Sequence, residues 1–150
     1  MEGKEYRKGK YRISTNRSEL DIAFIHSYLT RSYWSSGIPY DIVERCVQHS
    51  LCFGLFREDE QIGFARLITD YTTYGYLADV FVIEEHQGKG LGKWLIQCIT
   101  SEPELQSLRR WGLATQDAHA LYEKYGFRRI QKPEIFMEIH RPDIYRKQNR

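Results

Sequence analysis

Apolar and polar positions run along this chain in two rhythms, and the switches between them predict an ordered series of short strands and helices. Residues 11–16 read as a first strand, after which Ser18 and Asp21 make a capping-box-like start for a helix. That helix carries Leu20, Phe24 and Tyr28 on one side and ends near Arg31. An aromatic loop over residues 32–38 leads to Pro39, whose fixed φ suits a first helical position. Ile42, Val43, Cys46 and Val47 then recur at helical spacing. Residues 51–57 and 61–69 are β-rich runs separated by Glu58, Asp59 and Glu60, a break of hairpin length that implies antiparallel pairing.

A third β-rich run covers 76–83 and feeds a glycine-rich stretch, behind which Leu91, Leu95 and Ile99 fall at i, i+4, i+8 of a helix. Residues 111–115 read as another strand. Ala118, Leu121, Tyr122 and Tyr125 then mark a last helix that Gly126 can terminate. Ile135, Met137 and Ile139 alternate with Phe136, Glu138 and His140 as a closing strand. This mixed order predicts an α/β (α+β) three-layer domain: a mixed, partly antiparallel sheet flanked by helices.

Composition narrows the class. At 150 residues and 41% hydrophobic, the chain suits one domain, expected to span 1–150, with a sizeable core. Lys and Arg total 22 against 20 acidic residues, a net charge of +2, too balanced to suggest a nucleic-acid or membrane-surface partner. Basic residues gather at the ends, among them Lys4, Arg7, Lys8, Lys10 and Arg12, and read as solvated tails. Cys46, Cys52 and Cys98 are odd in number and form no CxxC pair. Neither a disulfide framework nor a zinc site is therefore indicated, and a reducing cytoplasm is the expected location. No apolar run approaches membrane-spanning length.

The strongest chemical signal is Gln87-Gly88-Lys89-Gly90-Leu91-Gly92, followed by Lys93, set between a strand and a helix. Glycines let a backbone approach a ligand closely, and the free N–H groups of a helix N-terminus attract an anion, so a phosphate ligand is expected here. A dinucleotide fingerprint is excluded because the third glycine comes one residue early. A Walker loop is excluded because Gln87 stands where the first glycine belongs, and Trp94 where a Mg²⁺-binding hydroxyl belongs. The run fits Q/R-x-x-G-x-G/A, and in this placement it resembles the pyrophosphate loop of the GNAT superfamily of acyl-CoA-dependent N-acyltransferases. A second motif, Leu121-Tyr122-Glu123-Lys124-Tyr125-Gly126-Phe127, resembles that family's L-Y-x-x-x-G-F helix.

The resemblance implies an N-acetyltransferase that moves the acetyl group of acetyl-CoA to a primary amine by direct attack, without a covalent enzyme intermediate. It implies that Tyr122 lies near the coenzyme A sulfur as candidate general acid, the plain alternative being a core tyrosine. It implies cofactor contacts at Val80 and Val82, with Phe81 between them, and along Gln87, Gly88, Lys89, Gly90, Leu91, Gly92 and Lys93. Thr115 stands where the family commonly has Asn, and Asp117 reads as a cap for the last helix. Asp79 interrupts an apolar strand and is a candidate base or a binding residue for the amine. Tyr33 and Trp34 either wall the acceptor pocket or pack. Asp70 and Tyr71 are weaker candidates, and His119 and Cys98 read as surface and packing residues. The acceptor is a small amine or a protein amino group. An acyl-CoA-binding domain without catalysis is the alternative, and a thiol acyltransferase using Cys52 or Cys98 a third reading. An exposed 135–140 strand could pair with a second copy, giving a homodimer.

Overall fold

The computed structural model describes residues 3–148. Six strands form one sheet in chain order: β1 (Glu5–Lys8), β2 (Tyr11–Ser14), β3 (Leu51–Arg57), β4 (Glu60–Thr69), β5 (Tyr74–Val82) and β6 (Arg110–Gly112). Pairing is antiparallel from β1 through β5. It is parallel between β5 and β6, because helix α3 (Leu91–Thr100) crosses over between them. One face of the sheet packs on α3 through Leu55, Leu67, Leu77, Leu95 and Ile99. The other packs on α1 (Ile22–Leu29) and α2 (Tyr40–Gln48) through Ile25, Leu29, Val43, Val47, Phe64 and Phe81. Two cores on opposite faces of one mixed sheet give the three layers that the sequence pattern predicts. Among the described residues no helix is long and apolar enough to cross a membrane.

Local chemistry sets the element ends. Asp21 accepts a hydrogen bond from the Phe24 amide at 3.0 Å and caps α1, while Ser18 sits in a preceding 3₁₀ turn capped by Asn16. Pro39 is the N-cap of α2 rather than its first helical residue. The short helix α4 (His119–Glu123) ends as expected at Gly126, whose φ of 98° lets its own N–H reach the Glu123 carbonyl and the Phe127 N–H reach that of Tyr122. A further helix, α5, covers Ile144–Gln148.

Two expectations fail at the ends of the chain. The basic N-terminal stretch is not a solvated tail: 5–8 and 11–14 form a hairpin on the sheet. Buried Glu102, just past α3, accepts from the Tyr6 hydroxyl and pairs with Lys4 at 3.6 Å, tying the hairpin down. Charge counting misses this because Arg12 is neutralised by Glu5 and Glu19 and lies over the Phe56 ring. The closing strand is absent as well: residues 133–135 form a 3₁₀ turn and 136–140 pair with no strand. Alternation alone does not supply a neighbour with matching backbone groups.

The sheet's decisive irregularity is in β5. Between the pairs Arg66–Ala78 and Phe64–Phe81, β4 advances two residues while β5 advances three, so β5 carries one extra residue. Asp79 lies in that bulge at φ 56°, in the left-handed region that Asp tolerates better than most residues. The extra residue inverts the alternation: Leu77 and Val82 both enter the core under α3, whereas Phe81 enters the core under α1 and α2. Buried Asp79 accepts from Arg66 Nε at 2.5 Å and from Trp34 Nε1 at 2.8 Å, and Arg66 donates in turn to Ser50 Oγ at 3.0 Å. Burial works against the Arg66 charge, but the adjacent carboxylate more than offsets it and holds the guanidinium above its ordinary value. Asp79→Ala should therefore cost about 3 kcal/mol in urea unfolding, because it strands a largely buried Arg66. A loss under ~1 kcal/mol would show that water replaces the carboxylate freely.

Candidate active site

The glycine stretch leaves the end of β5 through a 3₁₀ turn at Glu84–His86 and becomes the N-terminus of α3. Gly88 and Gly90 have φ of 81° and 77°, and Gly90 is the α3 N-cap with no side chain to satisfy the first turn. A Cβ added at Gly88, Gly90 or Gly92 would meet nothing within 4 Å, so the loop borders open space. Among the described residues, no protein acceptor takes the backbone N–H groups of Gly88, Lys89, Gly90, Leu91, Gly92 or Lys93. Six consecutive donors without a protein acceptor at a helix N-terminus are an arrangement that favours an anion, and Lys89 and Lys93 are exposed beside it. Leu91 contributes only its amide, since its side chain is buried under the sheet. Gln87, itself exposed, donates Nε2 to the Val82 carbonyl at 2.7 Å and so ties the loop to the strand end from which it departs.

Pairing between β5 and β6 stops at Tyr76 and Gly112. From there to Val82, the β6-facing edge of β5 has no strand partner among the described residues and lines a cleft that ends at the loop. Val80 is half-buried on this stretch. Phe81 sends its ring to the opposite face, where it stacks on Tyr28 at 3.9 Å, and the Val82 carbonyl is already taken by Gln87. Val80 is the least encumbered of the three positions.

Tyr122, on α4, is half-buried against the α3-side core and edge-on to Phe127 at 5.8 Å. Burial chiefly, then Tyr33 and Asp117, raise its phenol above the ordinary 10.0. Thr115 accepts from the Ala118 N–H at 3.1 Å and supports the start of α4, whereas Asp117 makes no cap. The shorter reach of threonine here holds the turn itself.

Tyr33 and Trp34 form an edge-on pair at 5.1 Å, and Trp34 lies 6.4 Å from the Tyr28 ring. With Phe81 they make an aromatic wall beside the Asp79 carboxylate. Asp79, Trp34 and Tyr33 are thus joined to Tyr28 and Phe81 at the α1/α2 face of the sheet, whereas Tyr122 packs against the core on the α3 face. The sequence reading missed Arg66, Tyr28, Tyr76 and Tyr145. Tyr145, on α5, packs against the α1/α2 core, and its phenol is raised by burial with Cys46 and Asp79 contributing. One signal for Arg66 was available: it interrupts an apolar strand as Asp79 does, with opposite charge. Tyr145 had none, being far along the chain.

Three other candidates have structural roles. Asp70 accepts from the Thr73 hydroxyl at 2.6 Å and from the amides of Thr72, Thr73 and Tyr74, which hold its carboxyl well below the usual range and build the β4–β5 turn. Burial pushes the Cys52 thiol up to about 12 and the Cys98 thiol up to about 11, so neither is a thiolate at neutral pH.

Comparison with known proteins gives the family and the fold. The family profile for the acetyltransferase (GNAT) domain matches residues 48–129, from the last residue of α2 past the Tyr122 helix. A crystal structure of a candidate GNAT-family acetyltransferase from Xanthomonas campestris pv. campestris is 46% identical, with 90% of this chain and 96% of that one covered and a TM-score of 0.88. A candidate acetyltransferase of Gibberella zeae is 33% identical, with 78% of each chain covered. At the level of fold, with 16% identity, a candidate acetyltransferase from Clostridium acetobutylicum solved with acetyl-CoA covers 87% of this chain and 94% of its own, at a TM-score of 0.62. With the profile spanning more than half the sequence, this chain belongs to the GNAT family of acetyltransferases.

Proposed function

We propose that this chain transfers the acetyl group of acetyl-CoA to a primary amine by direct attack, with Tyr122 donating a proton to the departing thiolate. The observation that carries this reading is the run of six unpaired amides from Gly88 to Lys93 at the end of the open β5 edge. A pyrophosphate fits it: the donors are free, the glycines leave room, and the helix end favours negative charge. When bound there, acetyl-CoA supplies an activated thioester carbonyl. Main-chain groups on the β5 edge, Val80 foremost, hold the pantetheine arm and steady charge on the thioester oxygen. Holding both reactants in one cleft accounts for much of the acceleration.

Tyr122 suits the acid role because its raised pKa keeps the phenol protonated throughout the working range. Tyr33 and Trp34 wall the acceptor side. Asp79 is assigned a positioning role, since both its oxygens are engaged by Arg66 and Trp34, and the bulge it stabilises sets the aromatic wall against the cleft. A lysine-like amine, with a pKa of about 10.4, is neutral in roughly one molecule in a few thousand at pH 7, so water in the cleft is assigned the relay of its proton. The acceptor is a small amine or a protein amino group. The three cysteines, all without disulfide partners, support action in the cytoplasm.

Tyr122→Phe should lower kcat by about ten- to a thousandfold, with acetyl-CoA affinity little changed. The measurement is thiol release from acetyl-CoA across polyamines, amino acids, aminoglycosides, arylamines and peptides. Unchanged turnover would remove Tyr122 from the mechanism, and hydrolysis without acceptor preference would favour an acyl-CoA-binding domain. In the wild type, any alkaline loss due to Tyr122 should fall above pH 10, the ordinary phenol value. Gly90→Val should abolish acetyl-CoA binding by calorimetry, because it fills the anion site and strains a left-handed residue. Asp79→Asn should lower kcat/KM while leaving the acidic limb of the pH profile in place; a flattened limb would make Asp79 the base after all.

A further inference from the structure

A cavity of about 300 Å³, small among ligand sites, opens on the α1/α2 face of the sheet between the last turn of α2 and β4. Ala65 and Leu67 enter the core under α3, so the alternate residues Arg66 and Ile68 point to the α2 side. Ile42 and Ile68 give the cavity apolar walls, with Cys46 between the α2 residues Ile42 and His49. Its polar groups are of one kind. Arg45, His49, Ser50 and Arg66 line it, and no carboxylate does.

The side chains of Arg45 and His49 have no hydrogen-bond or ion-pair partner among the described residues. Arg66 donates Nε to Asp79 and Nη1 to Ser50, which leaves Nη2 without a protein acceptor among the described residues. Asp79 holds this guanidinium charged but lies outside the cavity lining. Donors with no acceptor beside two isoleucines suit a carboxylate on a short aliphatic chain, its oxygens on the donors and its methylenes on Ile42 and Ile68.

The other Asp79 oxygen bonds Trp34, in the aromatic wall assigned to the acceptor, so cavity and wall share one carboxylate. Arg66 pairs with Ala78, one strand in from the open edge of β5. Neighbouring strands lie about 4.8 Å apart, so a ligand whose acid sits at Arg66 needs about three or four methylenes to bring an amine to that edge. An α-amino acid is too short.

We propose that this cavity is a subsite for the carboxylate of the acceptor, and that the chain acetylates ω-amino acids in preference to amines without an acid group. The inference rests on the acetyl transfer proposed above. In that transfer the amine nitrogen bonds the thioester carbon, the C–S bond breaks, Tyr122 protonates the departing thiolate and the nitrogen's proton passes to water. The carboxylate takes no part beyond binding.

Two measurements separate the subsite from the reaction. Cys46 lines the cavity and is half-buried, whereas Cys52 and Cys98 are buried, so thiol alkylation reads the site without any turnover. Iodoacetate and iodoacetamide both form a C–S bond with loss of iodide, and only the first carries a carboxylate. Rates scaled to glutathione and read by peptide mass spectrometry of the folded full chain should favour iodoacetate at Cys46 about tenfold, with protection by butyrate but not by butylamine. In thiol-release assays, kcat/KM should be about tenfold or more higher for 4-aminobutyrate and 5-aminopentanoate than for butylamine or glycine. Arg66→Lys keeps a cation for Asp79 but loses the fork, and should bring both preferences toward one. Arg45→Gln with His49→Gln changes only exposed side chains and should act in the same direction if Arg66→Lys does not fold. Equal labelling by the two reagents without butyrate protection would overturn the subsite, as would preferences unchanged in the folded variants. Butylamine as the better acceptor would overturn its use by the substrate. Carboxylate-directed labelling with no acetylation of any amine would instead sink the transfer reading and leave a carboxylate site.

Discussion

The Asp79 carboxylate meets the Arg66 guanidinium at 2.5 Å in the part of the sheet where the strand alternation inverts, and the shape of the cleft follows from that inversion. A regular β5 would place residues 77, 79 and 81 on one face. The bulge sends Phe81 to the α1/α2 side, where Tyr28 stacks on it, and returns Val82 to the α3 side. A left-handed Asp in mid-strand is unfavourable by itself, and the ion pair with the Trp34 hydrogen bond stabilises it. The same carboxylate thereby connects two strands and the loop between α1 and α2.

Main-chain and side-chain groups divide the cleft between them. At the loop, the backbone supplies the donors and the side chains keep away: Leu91 is buried, Gln87 turns to Val82, and three glycines carry nothing. Across the cleft, phenols and an indole cluster where burial holds their protons on. An anion site made of amides is insensitive to pH, whereas an acid must keep its proton until the leaving group needs it. The two ends of one cleft thus suit different parts of one ligand.

The glycine loop and the Tyr122 helix were legible because each is local: strand, turn, glycine spacing and apolar periodicity all lie within a few tens of residues. The α4 terminus at Gly126 was legible for the same reason. The N-terminal hairpin was not, because its two halves are charged and its anchor, Glu102, lies 96 residues from Tyr6. Residues 135–140 alternate like a strand but form none and pair with no strand among the described residues, which periodicity cannot reveal.

By itself the sequence determined the order of the elements between α1 and α4 and the two motifs that mark the family. These follow from spacing and from the conformational freedom of glycine. Only the tertiary structure decided that Arg66 answers Asp79, that Asp79 occupies a bulge and that Trp34 bonds the same carboxylate. Those facts are contacts between residues far apart in the chain. Such contacts form when packing on both faces of the sheet closes distances that sequence position leaves open.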